Sequence, residues 1–380
     1  MNASPDAEAL RFDEELGVYV TTSYRAAHQV LHGQHWSSDP GSNFTLLTRM
    51  GTSESLPSLV DAMLRLFMDG PTHTRMRQFL ARSFTARRIE ALRPRIAAVV
   101  EAALDGVQDR PVFDVLADLA YPIPTAVIAE LLDVGTEGAQ IISACSRELT
   151  ALMEVAPTES QLLAAGSAST TCSLFLLPLL AERRESPGED FISALLTADV
   201  DGDRLTLEEA LANILLLLIA GQETTANLIG NGVLRLLRHP AERDRMLADP
   251  GLVGVAVEEI LRLDSPITFV ARMATEDQYV GRRRILAGQQ VVVSLTTANR
   301  DPSRFACPER FDMDRADRGH LSFGGGAHYC IGRSLGIAEA EETLRGLFAR
   351  FPELSLADQD LRRRPSRTFH ALERLLVTPS

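Results

Sequence analysis

The 380-residue sequence predicts a mainly α fold with minor β sheets, in one domain spanning residues 1–380. Two observations carry that expectation. Helical periodicity dominates most of the chain and culminates in one uninterrupted pattern of roughly thirty residues, whereas period-two alternation is confined to short stretches. No repeat, low-complexity segment or Gly/Ser/Pro linker divides the chain.

Taken in order, Gly17-Val-Tyr-Val-Thr-Thr22 alternates as a strand does, and a short helical pattern follows to Leu31. Residues Ser37 to Ser58, rich in Gly, Ser, Thr and Pro, read as a long surface loop. Helical periodicity returns from Thr72 to Val107 and from Ala117 to Leu132. The clearest helix begins after Leu205, where Thr206 and Glu209 stand at capping-box spacing and each side chain can satisfy the other's free amide. It runs to about Arg238 and stops before His239-Pro240, because proline cannot continue it. That is about 45–50 Å of helix. Its middle, Ile214–Ala220, is apolar all round, which predicts a helix threading the core. Short strands with a turn at Ala287-Gly288 occupy Tyr279 to Thr297, and a last helix runs from Ser334 to about Phe351.

Composition narrows the function. With 45% hydrophobic and 23% charged residues the chain can bury a sizeable core. A net charge of −13 argues against nucleic acid as a partner, which would need a basic footprint. All 38 basic residues are Arg. The longest purely apolar runs fall well short of the ~20 residues of a membrane span, and the polar, acidic N-terminus resembles neither a signal nor an anchor. The expectation is a cytoplasmic protein with no membrane partner. Cys145, Cys172, Cys307 and Cys330 lie far apart with no C-x-x-C, so neither a zinc site nor a disulfide framework is expected.

Cys330 differs from the other three. It lies in Phe323-Gly-Gly-Gly-Ala-His-Tyr-Cys-Ile-Gly332, immediately before the last helix. Glycines there admit a close approach that a Cβ forbids, and free amides at a helix start favour thiolate, a suitable ligand for a soft or borderline metal. A dinucleotide fingerprint would need glycine where Tyr329 stands, and a P-loop would need Gly-Lys-Ser/Thr.

The segment resembles, position by position, the haem-ligand signature of the cytochrome P-450 superfamily, Phe-Gly-x-Gly-x-His-x-Cys-x-Gly. Glu259-Ile-Leu-Arg262, Ala298-Asn-Arg-Asp-Pro302 and Pro308-Glu-Arg-Phe311 are similar to further family segments, as is Ala220-Gly-Gln-Glu-Thr-Thr225 midway along the long helix. The resemblance runs from about Gly17 to Val377. It implies the fold of that family, with haem b held between the long helix and the Cys330 loop.

The resemblance also implies roles. Cys330 is expected as the axial iron ligand, with Phe323, Gly324 and Gly326 shaping its loop. Ala220 and Gly221 leave room over the haem face, and Glu223 and Thr224 are the acid–alcohol pair that delivers protons for O–O cleavage. His73, Arg77, Arg272 and His320 are expected to hold the haem propionates. Glu259, Arg262 and Arg310 form a structural charge network. Leu216, Ile219, Ala220, Ile267, Thr268, Val270 and Phe369 line the substrate pocket, closed by the loop Thr52–Phe67 and the segment Thr150–Ser173.

The implied activity is a monooxygenase that inserts one oxygen atom of O2 into a C–H or C=C bond of a medium-sized organic molecule, in secondary metabolism. Electrons derived from NAD(P)H come through a ferredoxin and ferredoxin reductase, docking on Arg75, Arg82, Arg304 and Arg333. Two alternatives stay open: a haem-thiolate oxidase coupling carbon to carbon or oxygen, and a non-catalytic haem sensor. The chain departs from the family pattern in a short N-terminal region, in Leu286 and Leu376 where Pro is usual, and in Glu223 where many members carry Asp.

Overall fold

The computed structural model describes residues 9–379 apart from 16, 40–67 and 155–156. The chain opens with strands β1 (Leu10–Asp13) and β2 (Val18–Thr21), then α1 (Tyr24–His32) and β3 (Trp36–Ser37). Next come α2 (Gly70–Ser83), α3 (Ala86–Asp105), β4 (Phe113–Asp114), a π-helical turn at Leu116–Ala120, α4 (Pro122–Leu132) and α5 (Gly135–Leu149). The helical periodicity from Thr72 to Val107 is divided between α2 and α3 at Thr85, whose side chain accepts from the Arg88 amide and starts α3 afresh. Most of the long-loop reading, and all of Thr52–Phe67, lies outside the described residues.

The helices α6 (Glu159–Glu185) and α7 (Phe191–Thr197) lead to α8 (Leu207–Arg238). The capping box of α8 is in place: the Thr206 hydroxyl accepts from the Glu209 amide at 3.1 Å, and Glu209 accepts from the Thr206 amide at 2.9 Å. Both α6 and α8 are long and apolar enough to cross a membrane, which the short purely apolar runs did not suggest. In α8 that character reflects burial, since 72% of its most apolar window lies inside the protein.

After α9 (Pro240–Ala248) and α10 (Val253–Leu263), the chain forms β5 (Phe269–Ala274), β6 (Gln278–Val280), β7 (Arg283–Ile285) and β8 (Gln290–Ser294). The short helix α11 (Leu295–Ala298), the last long helix α12 (Arg333–Arg350), β9 (Ser355–Leu356) and β10 (Leu376–Thr378) complete it. One sheet has the order β1-β2-β8-β5-β3, with β2 and β8 parallel and the other neighbours antiparallel. A second, β4-β10-β9, ties the C-terminus to the middle of the chain. Both proline departures fall where an amide is used: Leu286 donates to the Gln289 side chain at 2.8 Å and Leu376 to the Gln359 side chain at 2.9 Å.

Two hydrophobic cores meet along α8. Its first half, including Leu211, Ile214 and Leu218, packs with α2, α5, α6 and α7. Its second half, including Ala226, Ile229 and Val233, packs with α3, α4, α10 and α12. Residues 220–225 occupy the junction, so the polar Gln-Glu-Thr-Thr run interrupts neither core.

Candidate active site

Along the middle of α8 the residues are buried except on one face. Leu216, Leu217, Ala220, Gly221 and Thr224 are partly accessible, and their spacing puts them on a single face. Ile219, expected in the pocket, lies off that stripe and is 3% exposed, packed in the first core. The side-chain period of the helix gives the position to Leu217 instead.

The Cys330 loop is built by its own backbone. The Cys330 amide donates to the Phe323 carbonyl at 3.0 Å, Gly324 to Leu321 at 2.8 Å, and Tyr329 to Gly326 at 3.1 Å. Gly324 and Gly326 have φ of +70° and +65°, a region that disfavours side chains. A Cβ on Gly326 would meet the Leu31 carbonyl oxygen at 2.3 Å, so the loop is pressed against α1. The Cys330 side chain is accessible although protein encloses it closely. Burial pushes its thiol pKa up, against the opposing pull of the Gly332 amide, the Arg77 charge, and the Arg333 amide and charge. The amides expected from the sequence are present, but desolvation outweighs them for a bare thiol; a cation on the sulfur reverses that balance.

The rim of this site holds more positive than negative charge. The guanidinium of Arg77 donates to the Tyr329 carbonyl. Arg272 is buried, and its one described hydrogen bond goes to the carbonyl of Ala271 at 2.8 Å. Burial drops its pKa to about 10. His73 stacks on His328 with ring centroids 4.0 Å apart. Burial, and then the neighbouring cations, lower both imidazoles, His328 to about 4. Asp69, which accepts from His328 at 3.0 Å, is the carboxylate acting on this group. Buried cations short of anions want carboxylates. A thiol, a stripe that includes Ala220 and Gly221, and a rim richer in cations than anions among the described residues together fit haem, with its central iron and two propionates.

Two further sequence expectations need correction. His320 does not join the rim: its Nε2 is bonded to Glu258 at 2.8 Å and its Nδ1 accepts from the Ser322 amide at 3.2 Å, so no donor remains for a propionate. His328, inside the quoted motif but given no role there, takes that place. Arg310 contributes only its backbone: its side chain is 67% exposed, whereas its carbonyl accepts from Arg262 at 3.1 Å and from Arg315 at 3.2 Å. The second guanidinium on Glu259 belongs to Arg315, at 3.0 Å.

Glu223 is 4% exposed and accepts from the Tyr121 hydroxyl at 3.2 Å, from Asn227 at 3.1 Å and from the guanidinium of Arg364. The neighbouring Thr224 lies on the partly accessible stripe, its hydroxyl donating to the Ala220 carbonyl at 2.6 Å. Asn227 was findable as the i+4 neighbour of Glu223; nothing in Arg362-Arg363-Arg364 singled out the last. On the pocket side, Ile267 bridges to the buried Phe369, and Thr268 donates from its amide to the Thr368 carbonyl at 2.9 Å and from its hydroxyl to the Arg367 carbonyl at 2.6 Å. Thr368 reaches back to the Met153 carbonyl at 3.0 Å, which brings the start of Thr150–Ser173 to the same wall. Of the four arginines expected to dock a redox partner, Arg75 is held by Asp203 and Glu209, Arg304 by Asp317 and Arg333 by Glu258. Arg82 is exposed with no ion pair among the described residues.

Comparison with known proteins agrees with this geometry. The family model for cytochrome P450 matches residues 175–372. Cytochrome P450 107B1 of Saccharopolyspora erythraea is 37% identical over 98% of this chain and 92% of its own length. The 6-deoxyerythronolide B hydroxylase of the same organism is 38% identical over 89% of this chain and 84% of its own length. The crystal structure of P450BioI in complex with an acyl carrier protein ligated to hexadec-9Z-enoic acid superposes with a TM-score of 0.89 at 34% identity, covering 98% of this chain and 96% of that one. The sequence motifs, the fold and these relatives agree: the chain belongs to the cytochrome P450 family, as a bacterial haem b monooxygenase.

Proposed function

We propose that Cys330 holds the haem iron and that the stripe on α8 forms the opposite wall of the reaction chamber. The single observation that carries this is the anion-poor rim of Arg77, Arg272, His73 and His328 beside the enclosed Cys330 thiol. Those four side chains would bind the propionates and fix the cofactor's rotation. When bound, the haem supplies activation of O2 with electrons derived from NAD(P)H. The chain's own residues supply position and protons. Thr224 stands at the chamber with its hydroxyl, and Glu223 behind it is oriented by Tyr121, Asn227 and Arg364. That order suits proton passage from the Arg364 side to Thr224.

The apolar lining from Leu216, Leu217, Ile267 and Val270, with Phe369 buried behind Ile267, favours a medium-sized, largely apolar organic substrate. Relatives named 6-deoxyerythronolide B hydroxylase and vitamin D(3) 25-hydroxylase fit that class. We assign the chain to hydroxylation or epoxidation of such a secondary metabolite, with a separate ferredoxin and its reductase as electron source. The test is turnover of a candidate panel under ¹⁸O2 with a surrogate ferredoxin system. One labelled oxygen in the product supports the reading. Coupled products without label overturn it in favour of oxidative coupling.

A further inference from the structure

We infer that Glu258 and Arg333 form a charge pair that tunes the electron density on the Cys330 sulfur. The inference rests on Cys330 being the iron ligand. Arg333 is the first residue of α12, three positions after the cysteine, and its amide and charge both act on the sulfur. Its guanidinium lies over the Phe323 ring, 5.4 Å from the centroid, and the Phe323 carbonyl receives the Cys330 amide. Arg77 is the other guanidinium acting on the sulfur, and it is bonded to a neutral carbonyl. Arg333 differs because a carboxylate answers it: Glu258 on α10 accepts from Arg333 through one oxygen and from His320 Nε2 at 2.8 Å through the other.

His320 is 3% exposed at its side chain. With its Nδ1 accepting from the Ser322 amide, the Nε2 carries the proton that it donates to Glu258. The imidazole is thereby fixed, and it holds the Glu258 carboxylate in place beside Arg333. The result is a cation beside the sulfur whose field is offset by one anion one layer further out. A cation near a thiolate draws electron density away from the metal, and its counter-ion restores it.

This predicts shifts of opposite sign in the haem reduction potential. Glu258→Gln leaves Arg333 unopposed and moves the potential positive. Arg333→Gln leaves the carboxylate unopposed and moves it negative. The double variant returns toward the parent value, and Arg333→Lys, which keeps the charge, stays near it. A clamp that merely joins α10 to α12 would not produce that pattern, because breaking it from either side is the same structural event. The experiment is spectroelectrochemical titration of each holoprotein, with the reduced carbon monoxide spectrum recorded alongside. Opposite shifts with the thiolate band retained support the inference. Shifts of one sign, no shift, or loss of the band in the single variants alone overturn it and leave Cys330 ligation standing. Absence of the band in the parent protein overturns the ligand reading, and the inference with it.

Discussion

The sharpest consequence of the folded arrangement concerns Arg315 and Arg310. Glu259 on α10 is 5% exposed and carries two buried guanidinium groups. Arg262 binds it in a fork, with both N···O distances at 2.8 Å, and spends its other donors on the carbonyls of Asn299, Pro308 and Arg310. Arg315 adds a bond of 3.0 Å to the same carboxylate and donates to the carbonyls of Ala306, Cys307 and Arg310. Replacing Arg315 by Gln removes one partner of a buried ion network, at a cost of about 3–5 kcal/mol. At ~2.1 cal/mol/K per residue, a chain of 380 residues unfolds with an entropy of about 0.8 kcal/mol/K, so Tm should fall by about 4–6 °C. Arg310→Gln touches a side chain in water and keeps the carbonyl, so its effect should stay within about 0.5 kcal/mol. Circular dichroism melts of the two holoproteins, in one buffer at one scan rate, compare them directly. Equal losses, or a larger loss for Arg310→Gln, would refute this description of the network.

Two further outcomes are expected. Thr224→Ala, read as NAD(P)H consumed against product and peroxide formed, should keep electron flow and lower product yield, with peroxide rising; unchanged coupling would remove Thr224 from the proton route. His370, in a separate cluster where burial and then Arg363 push its pKa down to about 4, is neutral in the folded protein and ordinary in the unfolded one. The unfolded chain therefore binds more protons between about pH 6.5 and pH 4, and stability is lost as pH falls through that window, by about 3 kcal/mol from this group at its lower end. Melts of His370→Gln at pH 7 and pH 4.5 should show a smaller drop than the parent; an equal drop would mean that the histidine already titrates normally.

How much of this was legible in the sequence depends on whether a feature is local. The capping box of α8, its end at His239 and the glycine loop before Cys330 are fixed by neighbours within a few residues, and each stands where the pattern put it. The rim is different. His73 and Arg77 share one helix face, but what they face depends on α2 meeting the Cys330 loop, a contact no spacing encodes. His320 stands just before the motif that contains His328, and only tertiary packing decides that Glu258 takes the first. Arg310 and Arg315 lie five residues apart in an irregular segment without periodicity, so the sequence offers no rule for which side chain turns inward. Ile219 and Leu217 were separable in principle by the 3.6-residue period, once the accessible stripe was known to include Ala220 and Thr224.

The central claim is that Cys330, as thiolate, is the ligand of the haem iron. The most direct measurement is the spectrum of the dithionite-reduced protein with and without carbon monoxide, for the parent chain and for Cys330→His. The account predicts a strongly red-shifted Soret band in the parent, the mark of thiolate opposite carbon monoxide, and its loss in the variant. A parent band at the position typical of histidine-ligated haem in freshly prepared protein, or a red-shifted band surviving in Cys330→His, would contradict it.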